Sequence, residues 1–307
     1  MFHKKLKWLL YVFLFFALLK AIGWLLDKEV ERAIHQEYAR NKAGIIKIAE
    51  PKSYQNNHDK ALVFLMGHMD TPQKFYELYE KAQKEDTFDV HIPNLPFHSK
   101  TIEIGKNLDN KIVETYIQKF LKDKADNYKK VTVVALSYSG LIMAKLLSEG
   151  KIPSNIKVVL YSPSVYIKNN NALNYWSTYI LPKIFREYYN YDFPPLLPTG
   201  FPVYESGDNE ARTNLATEVK FRYRIFSALR KLFELDRETR GVLTKIKQPF
   251  KILMAKDDNR VPHDKLKAEC TENTFCEFIS FPSGRHVLHF GGMKDKFYEI
   301  ISKNAQT

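Results

Sequence analysis

The sequence predicts an α/β protein built on a mostly parallel central sheet, and three observations lead there. Apolar runs of strand length recur at Ala61–Met66, Phe88–Ile92, Val131–Leu136, Ile156–Tyr161, Phe250–Ala255 and Cys276–Phe281. Segments of helical length lie between most of them, the alternation expected of parallel strands with helices on both faces. The third observation is the stretch Val131–Gly140, in which a β-branched run ends at Ser137, small residues follow at Ser139 and Gly140, and Leu141–Leu147 reads as helix. The chain has 307 residues, of which 45% are hydrophobic, enough for one substantial core with an insertion or for two small domains.

Taken in order, the chain opens with Trp8–Leu26, apolar apart from Lys20, preceded by Lys4, Lys5 and Lys7 and followed by the mixed stretch Asp27–Arg32. A segment of about 19 such residues approaches the span of a bilayer. The lysines before it predict an N-terminus inside and the rest of the chain on the exported side. A cleaved signal peptide is the rival, with Ala21-Ile22-Gly23 as its cleavage site. Hydrophobic residues resume at Ile22–Leu26, which favours an uncleaved anchor.

Asp27–Lys42 reads as an amphipathic helix or stalk and Ile45–Ala49 as a short strand, with the polar stretch Glu50–Lys60 resembling a hairpin. Helices are expected at Phe75–Lys84 and at Asn107–Lys124, the latter with Leu108, Ile112, Tyr116 and Phe120 on one face. The alternation pauses between Ser162 and Lys247. That region holds Tyr175-Trp176, Tyr188-Tyr189, Pro194, Pro195 and Pro198. It also holds a basic amphipathic helix over Glu218–Asp236, whose apolar face (Ile225, Phe226, Leu229, Leu232, Phe233) is read as packing on the body, with a membrane-surface helix as the alternative. Helices near Asp264–Glu269 and over Lys294–Ser302 complete the fold. The organisation is therefore an anchor or signal segment at 1–26, a linker helix at 27–44, and one domain at 45–307 with a cap insertion at about 163–247.

The net charge of +12 favours contact with anionic surfaces. No zinc-ligand spacing, Walker loop or RNA-binding aromatic motif accompanies it, so a membrane fits better than nucleic acid. Two cysteines, Cys270 and Cys276, either close a small disulfide loop in an oxidising compartment or stay as buried thiols.

The chemistry gathers at strand ends. A buried strand, a sharp turn carrying a serine and then a helix form the context of a nucleophile elbow, with Ser137 as the exposed hydroxyl. Small residues flank it at Ala135 and Ser139, where glycine is usual; Ser139 as the nucleophile would bring Leu136 and Leu141 against the turn and fits less well. A serine is a weak nucleophile at neutral pH and needs a base, itself oriented by a carboxylate. After the strand ending at Ala255 come Asp257 and Asp258, and after the strand ending at Phe281 come His286 and His289. Asp258 also suits a turn or helix cap, and either histidine suits a loop.

These stretches resemble the α/β-hydrolase superfamily, and within it the monoacylglycerol lipase and lysophospholipase group. Ala-Leu-Ser137-Tyr-Ser-Gly is similar to the family's elbow, with both outer glycines replaced. Asp258-Asn-Arg-Val-Pro is similar to a family stretch in which an Asp precedes Val-Pro, which prefers Asp258 over Asp257. Gly-Arg-His286-Val-Leu-His resembles the loop of the catalytic histidine, and Met66-Gly67 stands where the family has His-Gly. The resemblance covers roughly residues 45–303. It implies the α/β-hydrolase fold, with a mostly parallel sheet, flanking helices and a helical cap. It also implies a Ser137–His286–Asp258 triad, an oxyanion hole from the backbone N–H groups of His68 and Tyr138, and no metal or organic cofactor. The substrate class it implies is an amphiphilic lipid ester, a lysophospholipid or monoacylglycerol. An acyltransferase or thioesterase on the same triad, or a membrane-anchored scaffold, are the alternatives.

Overall fold

The computed structural model describes residues 2–37, 41–43, 45–99, 107–168, 170–185, 187–190 and 223–306. Pro194, Pro195, Pro198 and the first five residues of the helix expected at Glu218–Asp236 lie outside them.

Helix α1 (Phe2–Glu37) is unbroken, so the apolar segment and the polar stretch after it form one rod. Lys7–Glu29 within it is long and apolar enough to cross a membrane. The sheet that follows has seven strands: β1 (Lys52–Tyr54), β2 (Lys60–Leu65), β3 (Asp89–Ile92), β4 (Lys130–Leu136), β5 (Ile156–Tyr161), β8 (Phe250–Ala255) and β9 (Cys276–Phe281). Their spatial order is β1-β3-β2-β4-β5-β8-β9. Only the β1–β3 pair is antiparallel. A separate two-stranded ribbon pairs β6 (Tyr188–Asn190) with β7 (Tyr223–Ile225) in the stretch between β5 and β8. Every residue of β4 after Lys130 is buried, which requires cover on both faces. That cover comes from α3 (Asn110–Asn127), α4 (Tyr138–Ser148) and α8 (Lys294–Gln306), while α2 (Tyr76–Glu85) lies on β3. Helix α7 (His263–Thr271) lies beside β9, and the bridge Cys270–Cys276 ties its last turn to the start of that strand, with Cα atoms 5.3 Å apart. Of the two readings open for the cysteines, the structure has the disulfide.

Four expectations need correction. Within the helix expected at Glu218–Asp236, Tyr223–Ile225 is the strand β7, held by pairing with Tyr188–Asn190, and the helix begins only at Phe226. Ile45–Ala49 is no strand: Lys47–Ala49 is a 3₁₀ turn, and the N–H of Ile46 donates to Ser99. Ile46 and Ala49 are buried while Ile48 is exposed, the three-residue period of a 3₁₀ turn rather than the two-residue period of a strand. The polar stretch after Glu50 holds β1, an edge strand in register with β3 through Lys52↔Ile92 and Tyr54↔Val90. On α3 the buried stripe is Val113, Ile117 and Leu121, one residue round from the expected face, and Ile112 is exposed. The aliphatic stripe desolvates fully, whereas Tyr116 and Phe120 stack on each other at its margin with ring centres 6.2 Å apart.

Candidate active site

Ser137 sits between β4 and α4 with φ 53° and ψ −104°, a conformation that an L-residue adopts only under constraint. The constraint is visible. Its N–H donates to Tyr161 of the neighbouring strand (2.9 Å), and its carbonyl accepts from Leu141 and Ser164. Gly140 supplies the room, because a Cβ there would come within 3.0–3.1 Å of Pro163 and of the Ala135 carbonyl. Ser139 is fully buried and turns its hydroxyl inward to the carbonyls of Leu65 and Leu136, so the structure leaves Ser137 as the hydroxyl on the turn.

The loops after β8 and β9 converge on that hydroxyl. His286 Nε2 lies 2.9 Å from Ser137 Oγ, and His286 Nδ1 lies 2.9 Å from Asp258 Oδ2. Asp258 also serves the turn it was read as belonging to: its Oδ1 accepts from the N–H groups of Arg260 (2.8 Å) and Val261 (3.0 Å). One oxygen is thus fixed by backbone and the other by the imidazole. Burial by itself would raise the Asp258 carboxyl. The His286 charge and hydrogen bond, with the two backbone N–H groups, outweigh it and hold the carboxyl below the usual range, so the group is ionised at neutral pH. Asp257 points elsewhere and accepts from the N–H of Arg285.

The loop after β2 passes the same serine. A Cβ on Gly67 would stand 3.4 Å from Ser137 Cβ and 2.6 Å from Asp70 Oδ2, a carboxylate already held by Lys74 at 3.0 Å. His68 bonds through Nε2 to the carbonyl of Ala228 (3.0 Å) on helix α6 (Phe226–Glu238). Its ring meets that of Tyr138 edge-on at 5.7 Å. Tyr138 is wholly buried and donates its hydroxyl to Asn110 (2.9 Å), which pins the first residue of α4. At the start of a helix the N–H groups have no partner in their own helix and point at whatever lies ahead of it.

Sequence reasoning missed Ser164. Its hydroxyl lies 2.6 Å from Ser137 Oγ, so when Ser137 donates to His286 it is Ser164 that donates to Ser137. The available signal was its place just past the end of β5, the strand beside β4.

His289, expected as a neighbour of His286, is fully buried, with Nδ1 against the Tyr161 hydroxyl and Nε2 against the Lys74 carbonyl, both at 2.9 Å. Burial, with the Lys74 charge, pushes it down to about 3; burial likewise pushes His91 down to about 4. Both stay neutral in the fold, whereas unfolded they take up protons below about 6.5. The stability these groups confer is therefore complete above about pH 6.5 and is lost as the pH falls toward their folded values. Chemical denaturation is expected to show the histidine contribution level from pH 7.5 to about 6.5 and the unfolding free energy falling below that, approaching about 1.4 kcal/mol per pH unit for each histidine by pH 4.5. A flat profile would overturn this assignment.

No protein-family model matches the chain, and no curated protein does either. Solved structures do. A metagenome-derived lipolytic enzyme of the LipS and LipT pair matches at 16% identity over 84% of this chain and 99% of its own, with a TM-score of 0.63. The monoacylglycerol lipase of Paleococcus ferrophilus matches at 14% identity over 83% and 97%, with a TM-score of 0.65. A soluble variant of the monoglyceride lipase from Saccharomyces cerevisiae matches at 14% over 84% and 92%, with a TM-score of 0.59. The chain has the α/β-hydrolase fold, as the resemblance of its three motifs implied.

Proposed function

We propose that the chain is a serine ester hydrolase in which Ser137 is the nucleophile, His286 the general base and acid, and Asp258 the group that orients and charges the imidazole. The observation that carries this reading is the hydrogen-bonded series Ser137–His286–Asp258 starting from a positive-φ turn. As Ser137 Oγ attacks an ester carbonyl, His286 Nε2 takes its proton and then returns it to the departing alkoxide. Water, deprotonated by the same nitrogen, adds to the acyl-enzyme and releases the acid. The oxyanion accepts from the N–H groups of His68 and Tyr138. No step calls for a metal or an organic cofactor. The substrate is an amphiphilic ester, a lysophospholipid or monoacylglycerol. The apolar N-terminal helix anchors the enzyme beside such lipids, and the positive charge favours a phosphate-bearing head group. The anchor places the catalytic domain on the exported side, where a Cys270–Cys276 bridge persists.

The test is labelling of membrane fractions with a fluorophosphonate probe, followed by a panel of lysophospholipids and monoacylglycerols. Labelling of wild type and none of Ser137→Ala is the expected result; no labelling of folded wild type refutes the reading. A second expectation concerns the oxyanion loop. Gly67→Ala drives a methyl group into the Asp70 carboxylate, which Lys74 holds in place, and so shifts the loop that carries the His68 N–H. Its kcat is expected to fall by about 10²-fold, the effect of losing one oxyanion donor, with little change in thermal stability. Unaltered turnover would remove His68 from the role.

A further inference from the structure

The hydroxyl of Ser164 touches the reacting oxygen and yet has no place in the triad. It lies 2.6 Å from Ser137 Oγ, and both residues are buried. Its position is fixed from several sides. Ser162-Pro163-Ser164 turns off the end of β5, where the N–H of Ser162 donates to the Leu253 carbonyl on β8 (2.9 Å). Pro163 stands so close to Gly140 of α4 that a Cβ on that glycine would meet it at 3.0 Å. The N–H of Ser164 donates to the Ser137 carbonyl (3.1 Å). Farther on, ahead of helix α5 (Ala172–Ile184), Lys168 grips the loop of the acid. Its N–H donates to the Arg260 carbonyl (3.0 Å) and its Nζ to that of Asp258 (2.6 Å). One stretch of chain therefore clamps the nucleophile turn to the loop of Asp258.

The direction of the Ser164 bond follows from the imidazole. Ionised Asp258 accepts the Nδ1 proton of His286, which leaves the Nε2 lone pair for the proton of Ser137. Ser137 Oγ has only that proton, so toward Ser164 it accepts. What this donor achieves depends on what Oγ is at each stage. In the free enzyme Oγ is a hydroxyl oxygen, and on attacking an ester it becomes the ether-like oxygen of the tetrahedral intermediate. Both accept well, so the bond is present before and during acylation and changes its rate little. In the acyl-enzyme Oγ is the bridging oxygen of an ester, whose lone pair is drawn into the carbonyl and accepts poorly. Water then adds to the acyl carbon and gives its proton to His286 Nε2, and that resonance is lost. The C–Oγ bond breaks with its electron pair on Oγ, which takes the proton back from His286 as the acid leaves. Throughout these steps the Ser164 bond strengthens, while Ser164 keeps its own proton.

We propose that Ser164 is a further catalytic residue, a hydrogen-bond donor to Ser137 Oγ that speeds deacylation and leaves acylation nearly unchanged. This deepens the reading of Ser137, His286 and Asp258 as a triad and rests on it.

The test compares full-length wild type with Ser164→Ala, Ser164→Thr and Ser164→Val, using a p-nitrophenyl acyl ester and a fluorophosphonate probe. Nitrophenolate leaves readily, so deacylation limits the steady state and acylation is read from the burst. Threonine and valine share one shape and differ in the hydroxyl, so any harm done by the added carbon is common to both. The expected kcat is about 10-fold lower in the alanine variant than in wild type, and in the valine variant than in the threonine variant, the size of one hydrogen bond. KM falls in parallel, while kcat/KM and the labelling rate stay within about 3-fold. An unchanged kcat in the alanine variant overturns the proposal, as does valine equal to threonine. A loss in kcat/KM as large as that in kcat also overturns it, since Ser164 would then only hold the turn. Folded wild type that fails to label removes the triad and the proposal together, whereas labelling of all four proteins without the split removes Ser164 alone.

Discussion

Ser137→Gly is expected to abolish ester turnover and still give a more stable protein than Ser137→Ala. The loss of activity is common to both variants. Removing the nucleophile lowers kcat by on the order of 10⁴-fold or more, whatever else of the site survives. The stabilities separate because the residue holds φ 53° and ψ −104°. A side chain there costs about 1–3 kcal/mol, a strain that alanine keeps and glycine relieves. Glycine itself forfeits about 0.5–1 kcal/mol through the freedom of its unfolded chain. The balance leaves the glycine variant ahead by about 1 kcal/mol, the reverse of the order at an ordinary strand or helix position. Both variants lose the same hydrogen bonds to His286 and Ser164, so the comparison isolates the backbone. Denaturant midpoints of the two proteins test it. An alanine variant equal to or above the glycine variant would show that the turn carries no strain.

That turn was legible from sequence because its requirements are local: a buried strand, small residues on either side of the serine, and a helix at once afterwards. The strands β2, β4, β5, β8 and β9 were legible for a related reason. All but β9 are buried on both sides of a parallel sheet and must be apolar along nearly their whole length, which leaves a strong signal; β9 lies at the sheet edge and is half-buried, and only its run of apolar and aromatic residues marked it. The polar edge strand β1 left none, since Lys52, Ser53 and Tyr54 owe their conformation to β3, some 38 residues away. The face of α3 was misjudged because two apolar stripes lie side by side, and only the sheet beneath decides which is covered. Ser164 escaped for the same reason. Its contact with Ser137 comes from β5 lying next to β4, and nothing within either segment states that adjacency. Asp258 and His286 stood out as candidates because each directly follows a recognisable strand, and in open parallel sheets ligand sites lie beyond those carboxyl ends.

The choice between the two adjacent acids makes the sharpest expectation for the triad. Asp258→Asn is expected to lower kcat by on the order of 10³- to 10⁴-fold, the size of effect known for the matching change in serine proteases, while Asp257→Asn stays within a few-fold of wild type. The geometry gives the cause. Oδ1 of Asp258 is claimed by two backbone N–H groups, so an asparagine would set its carbonyl there and turn its amide NH₂ toward His286 Nδ1. A donor facing Nδ1 forces the imidazole proton onto Nε2, the nitrogen that must accept from Ser137. The serine then faces a donor and has no base. Because the carboxylate is held below its usual range by contacts present only in the fold, the aspartate favours the native state above the unfolded carboxylate range, and that contribution disappears as acid protonates it. The asparagine variant should therefore lose part of the acid dependence of stability as well as activity. Asp257 accepts from the Arg285 N–H at the surface, away from the imidazole, so its neutralisation leaves turnover in place. Full probe labelling of Asp258→Asn, or a large loss on Asp257→Asn, would reassign the acid of the triad.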